Sequence, residues 1–279
     1  MNAETDFARP VALRVRFPAA RSLPASPGFD RHALASPIIE ELATTAVLDA
    51  PATAAADNVL DVLDVIVLPS GQAELLPLQR TVEAWIAQPS AGEHASAPID
   101  LVFRGDRICW RPDRAMVIVA GTRREEVVAG LVGFARNELE LRRLESETSE
   151  KLSAAAGDVD LTHAVVRASL SRQARVNAIT VWAAQARIRF TLLEPTVASG
   201  AAALPPPSLR LARELAVQSE VMERLRVVDD QLEVVADLYE LANDRLTEYS
   251  YFLREYRLER WILLALVAEL AFSIIGLFV

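Results

Sequence analysis

Apolar and polar positions follow two rules along this chain, and the change of rule divides it. From Val221 onward apolar residues recur alternately every four and three positions: Val221, Leu225, Val228, Leu232, Val235, Tyr239, Ala242, Leu246, Tyr249, Leu253 and Tyr256. That is about five heptads, with charged residues such as Glu223, Asp230, Glu240, Asp244 and Arg245 between them. A repeat averaging 3.5 residues keeps one seam on one side of a helix and asks for a partner helix. From Trp261 to Val279 the chain reads WILLALVAELAFSIIGLFV, with Glu269 its single charge. At ~1.5 Å per residue the run is roughly 28 Å long, close to the ~30 Å hydrocarbon core of a bilayer. No proline or glycine occurs between Ser208 and Ile275. The pattern predicts one long helix, a coiled coil that continues into a single transmembrane helix. A buried helix of a bundle accounts for the heptads, but such a helix keeps one polar face.

Upstream the periods are shorter. Val11–Phe17 partly alternates apolar residues with Arg and predicts a strand. Pro18–Asp30 reads as a loop, and Pro37–Leu48 as a short helix or strand. Val62–Leu68 predicts a buried strand and Leu75–Ala87 a short helix, followed by a polar loop over Gln88–Pro98. Asp100–Arg104 and Arg107–Arg111 flank Gly105-Asp106 as a hairpin, and Met116–Ala120 makes a third strand. Thr122 and Glu125 have the spacing of a capping box for a helix over 123–151. Gly157-Asp158 breaks it, and a second helix follows over 161–193. The expected layout is a loose N-terminus over 1–10, an α+β head over 11–150 and a helical section over 158–194. A Pro/Ala linker over 195–207, with Ser208 as helix N-cap, leads to a coiled-coil stalk over 208–258 and an anchor over 261–279.

Composition adds limits. Among 279 residues the formal charge is −9, which does not predict direct nucleic-acid binding. Cys109 is the sole cysteine, so an internal disulfide and a CxxC metal knuckle are both excluded. His32, His94 and His163 are far apart, and no phosphate-loop, dinucleotide, metalloprotease or nucleophile-elbow motif occurs. Asp61 and Asp64 read as solvent-facing carboxylates, Cys109 as a small core residue, and Trp85, Trp110 and Trp182 as core. No catalytic, cofactor-binding or metal-binding residue is expected. The N-terminus has no secretory leader pattern. At the other end Arg254, Arg257 and Arg260 precede the apolar run. By the positive-inside rule they place the head on the cytoplasmic face of an inner membrane, or the matrix face of the mitochondrial one, with Trp261 at the interface. Glu269 shares a stripe with Ala265, Ser273 and Gly276, which predicts that this stripe packs on another helix.

The stretch over 206–272 resembles the C-terminal signature of the "required for meiotic nuclear division" family, also called domain of unknown function 155. The matching residues are Asp237, Leu238, Tyr239, Glu240 and Leu241, then Leu258, Glu259, Trp261 and Ile262, then Glu269. Arg260 departs from the pattern by separating Glu259 from Trp261. Phe103, Arg104, Gly105, Ile108 and Trp110 look like a shortened form of the family's hairpin. The resemblance implies an α+β head, a C-terminal anchor, oligomers, support of organelle translation, and no catalytic residues. The resulting expectation is a non-enzymatic, tail-anchored scaffold, a homo-oligomer through Val221–Tyr256, whose head docks a protein or ribonucleoprotein at the membrane. Its rivals are an enzyme or ligand sensor with a deep pocket near Arg104, Arg107 and Trp110, and a soluble helical-bundle protein with a buried C-terminus. For the seam itself the rival is antiparallel pairing with helix 161–193 of the same chain.

Overall fold

The computed structural model describes residues 9–18, 36–49, 59–88, 97–199 and 204–278, without the side chains of residues 59, 60 and 271–278. Most of the expected N-terminal segment, the Pro18–Asp30 loop after Pro18, His32, His94 and residues 200–203 of the linker therefore lie outside the described residues.

Strands β1 (Val11–Pro18), β2 (Ile38–Leu42), β3 (Val59–Pro69), β4 (Ile99–Phe103), β5 (Asp106–Trp110) and β6 (Arg114–Val119) form one sheet in the order β2-β1-β3-β6-β5-β4. The central pair β3 and β6 is parallel and the other pairs are antiparallel. A parallel strand covered on both faces carries a near-continuous apolar run, and Leu63, Val65, Ile66, Val67 and Leu68 of β3 are all buried. The short element left open in sequence is both a strand and a helix, β2 followed by α1 (Thr44–Asp49). Helix α2 (Leu76–Ala87) adds Val82, Trp85 and Ile86 to Ala12, Ile66, Cys109 and Met116 in one core. The β4–β5 hairpin turns on Arg104 and Gly105, at φ 54° and 87°. Two consecutive positive φ values make the turn whose twist matches that of the strands, so Asp106 belongs to β5.

Helix α3 (Arg124–Ala155) starts after a 3₁₀ turn, Gly121–Arg123, that takes in Thr122; the expected capping box does not open the helix. Helix α4 (Gln173–Ser199) begins after two 3₁₀ turns and runs through Pro195, where a linker was expected. Helix α5 (Pro206–Gln218) packs closely on α3. A Cβ on Gly130 would lie 2.7 Å from the Ser208 carbonyl oxygen, and the Ser208 hydroxyl donates to the Glu126 carbonyl at 2.8 Å. The long helix expected from Ser208 is broken at Ser219-Glu220, with Glu220 at φ 52°, before α6 (Val221–Phe278) begins.

The chain divides into two compact units, residues 1–144 with 190–227, and residues 145–189 with 228–279. The first holds the sheet. The second is helical: Val235, Tyr239, Ala242 and Leu246 of α6 pack with Ala155, Leu161, and Val176 and Ile179 of α4.

The membrane-spanning expectation is corrected. Among the described residues no helix is long and apolar enough to cross a membrane. The apolar residues from Trp261 onward lie on α6 and include the charged Glu269. Immediately before them stand Arg254, Glu255, Arg257, Glu259 and Arg260. The fold class is α+β without the transmembrane helix. With the span go the tail-anchored description, the single-pass inner-membrane location and the assignment of a cytoplasmic or matrix side.

Candidate functional site

The seam residues fall into two groups. Val221, Leu225, Val228, Leu232, Val235, Tyr239, Ala242 and Leu246 are buried by the chain itself, each 2 % exposed or less. In the helical unit their cover includes α4, whose Val176, Ile179, Ala183 and Ala186 recur at three- and four-residue spacing and are also buried. Beyond Leu246 the cover ends. Tyr249 and Leu253 are half-buried, and Tyr256 is exposed.

From that point α6 shows apolar side chains on every side. Tyr251, Phe252, Tyr256, Leu258, Trp261, Ile262, Leu263, Leu264, Leu266, Val267 and Leu270 are each more than half exposed, Trp261 to 70 %. Arg254, Arg257 and Arg260, expected at a membrane interface, stand exposed on the same helix, with Arg254 5.9 Å from the centre of the Tyr251 ring. Ala265 and Glu269, expected in a packing stripe, are exposed; Ser273 and Gly276 lie outside the described side chains. A large aromatic or aliphatic side chain in water is unremarkable singly, whereas a contiguous group marks a contact surface.

The α+β unit offers less. Arg104 pairs with Glu126 at 3.0 Å, and Arg107 with Glu83 at 2.6 Å and Asp100 at 2.8 Å; neither arginine borders the cleft beside Trp110. Trp110 borders a small cleft with Phe17, Asp61, Glu138 and Arg142. Its indole N–H is buried without a hydrogen-bond acceptor among the described residues, and Arg142 lies 5.9 Å from the centre of its ring. Burial raises the Asp61 carboxyl above its ordinary pKa. Glu138, 2 % exposed, accepts from Arg142 Nε at 2.6 Å and from Arg224 Nη1 at 2.8 and 3.0 Å. A second cleft lies between Phe134, Asn137, Val197 and Ala212. Each has room for about one water, far below what a bound metabolite needs. Asp64 is not solvent-facing: it is 1 % exposed and accepts from Arg14 Nε at 2.8 Å and Nη2 at 3.0 Å. Asp61 accepts instead from the Val62 N–H at 2.8 Å, so the two carboxylates have separate partners and form no dyad.

Among the described residues of the helical unit the buried carboxylate is Asp158, in the turn after α3. It accepts from the Tyr239 hydroxyl at 2.9 Å and from Arg175, with Arg172 Nη1 3.6 Å away. Burial, and then the bond to Asp158, push the Tyr239 phenol up to about 12. Arg175 and Arg172 close the carboxylate from outside, so this cluster ties the α3–α4 turn to α6. Sequence reading missed Asp158 and Glu138 as buried charges. The available signal was the arginine content of the facing helices, which does not say which carboxylate each arginine reaches. Trp85 and Trp110 are core residues, 5 % and 3 % exposed. The Trp182 indole donates to Glu147 at 3.0 Å. Cys109 is buried, and burial raises its thiol pKa, the opposite of a reactive thiolate. His163 is exposed in a turn. Among the described residues no three His, Cys, Asp or Glu side chains converge as a metal site.

No protein-family model matches the chain, and no curated protein matches it. The resemblance over 206–272 rests on the residues quoted for it.

Proposed function

We propose that the protein is a non-enzymatic assembly module that docks another protein along the distal part of α6, from Tyr249 to Leu270, and so holds its α+β unit at that contact. The observation that carries this reading is the set of eleven large apolar side chains between Tyr251 and Leu270, all more than half exposed. Aromatic side chains bring 150–250 Å² each, so eleven large side chains exposed to this degree leave on the order of 1,000 Å² in water. The largest apolar patch of an ordinary monomer is about 300–600 Å². A stable protein contact buries about 800 Å² on each partner. The surplus is therefore of the size that one contact removes. The two clefts described above for the α+β unit each have room for about one water, so neither of them is a metabolite site.

The test is site-specific photo-crosslinking of the full chain in its native cell. A photoreactive residue at Leu263 or Val267 should give protein adducts. The same residue at Leu76, which is 51 % exposed on α2, is the control. Lipid adducts alone at the two α6 positions, or protein adducts no stronger than at Leu76, would overturn the proposal.

A further inference from the structure

We infer that the protein docked on distal α6 is a different protein that closes around the helix, as an apolar sleeve over residues 261–268 whose mouth is acidic on one side and basic on the other. The inference rests on the reading of that surface as a docking helix. Its first support is direction. At ~100° per residue, four consecutive residues point to four sides of a helix. Trp261, Ile262, Leu263 and Leu264 are consecutive, large and apolar, and are 70 %, 59 %, 62 % and 55 % exposed. Leu266 and Val267 repeat the pattern on the next turn, at 57 % and 56 %. A helix that is apolar all round belongs in enclosed surroundings. A partner helix laid alongside packs on one side only and leaves the opposite directions in water. A second copy of α6 has the same shortcoming.

The second support is length. Residues 261–268 carry no charge, and Arg260 and Glu269 bound them. The uncharged stretch is roughly 12 Å long, close to the ~10–12 Å thickness of one helix with its side chains. A wall one helix thick therefore encloses it and leaves Arg260 and Glu269 at its two rims, where neither charge is taken out of water unpaired.

The third support is charge. Arg254, Arg257 and Arg260 recur every third residue, so they fall within about 120° of one another, centred on Arg257. Glu255 and Glu259 are a turn apart, and the direction midway between them lies about 180° from Arg257. All five side chains are exposed. The turns that lead into the apolar stretch thus carry positive charge on one side and negative charge on the other. Complementary charge across a contact fixes register and excludes wrong partners. The mouth that fits this collar is acidic where it meets the arginines and basic where it meets the glutamates, which sets the rotation of the helix within the sleeve.

The experiment is photo-crosslinking of the full-length chain in its native cell, with a photoreactive residue placed in turn at Trp261, Ile262, Leu263 and Leu264. All four should give adducts with one and the same protein, in yields within about threefold of one another, because each direction meets the enclosing wall. R257E and E255R reverse opposite sides of the collar. Each should lower the Leu263 adduct by about tenfold or more, since like charges then meet across the contact. Both residues are exposed, and circular dichroism and thermal midpoints matching the parent establish that both variants fold. Adducts missing from any of the four positions would overturn the sleeve and leave the docking reading standing. So would different proteins at different positions, adducts between two copies of this chain, or yields indifferent to both reversals. Lipid adducts alone, or no protein adduct at any position, would remove both.

Discussion

Replacing Tyr239 by Phe isolates one hydrogen bond in the helical unit. Tyr239 is fully buried, and its hydroxyl donates to the buried Asp158 carboxylate at 2.9 Å. The substitution leaves the ring in place and removes one donor from a charged acceptor. Hydrogen bonds to charged groups contribute about 1.5–3 kcal/mol, so Y239F should be destabilised by that amount at neutral pH. For a domain of 150–250 residues each kcal/mol is worth about 2–4 °C, giving a fall of roughly 3–12 °C in the thermal midpoint. The alkaline limb supplies an independent reading. The phenol's pKa is raised from 10.0 to about 12, so between those values the folded state holds a proton that the unfolded state has lost. Stability then falls as pH rises. The contribution is complete below pH 10 and is lost as pH passes about 12. Two pKa units correspond to roughly 2–3 kcal/mol, the same size as the hydrogen bond. The gap between parent and Y239F should therefore be widest at pH 7–9 and nearly closed at pH 12. Urea unfolding followed by circular dichroism across that range measures both. A variant within 0.5 kcal/mol of the parent at pH 8, or two alkaline limbs of equal slope, would refute the argument.

Three further outcomes are expected, each read by denaturant unfolding. Gly130→Ala should destabilise by about 1–3 kcal/mol, because the added methyl meets the Ser208 backbone oxygen at 2.7 Å and α5 must shift. Gly133→Ala, whose methyl meets only the movable end of the Leu204 side chain, should be near neutral; equal costs at the two sites would count against the close approach of α5. Asp64→Ala should cost about 3 kcal/mol by leaving Arg14 without its bidentate acceptor between β1 and β3, and an unchanged midpoint would show that the pair is dispensable. Glu220→Gly should stabilise by about 1 kcal/mol, since Glu220 holds φ 52° where a side chain is penalised and glycine is not; a loss of stability would mean that the Glu220 side chain matters more than its backbone.

Local pattern was enough for elements whose partners are close in sequence. Alternation marked β1, the apolar run marked β3, and Gly105 marked the β4–β5 hairpin, because each depends on neighbouring residues and on a turn that few residues accept. Contacts across long separations were not legible. Asp158 and Tyr239 are 81 residues apart and Glu138 and Arg224 are 86 apart, and nothing local distinguishes those carboxylates from their exposed neighbours. The break at Ser219-Glu220 carries no glycine or proline, so a continuous helix was the natural reading.

The largest departure, at the C-terminal end, follows from what a hydrophobic period can express. A four-three repeat states which side chains share a face, and leaves open whose atoms cover it. For Val235–Leu246 the cover includes α4 of the same chain, and the matching stripe of Val176, Ile179, Ala183 and Ala186 was itself visible in the sequence. That packing matches the antiparallel rival with helix 161–193, and a helix already bound along its seam cannot offer those residues to another chain. The same comparison separates the distal segment. Tyr256, Leu263, Val267 and Leu270 are exposed beyond the point where the cover ends. Glu259 and Arg260 stand between Tyr256 and Leu263, so the exposed stretch carries charge as well as apolar surface.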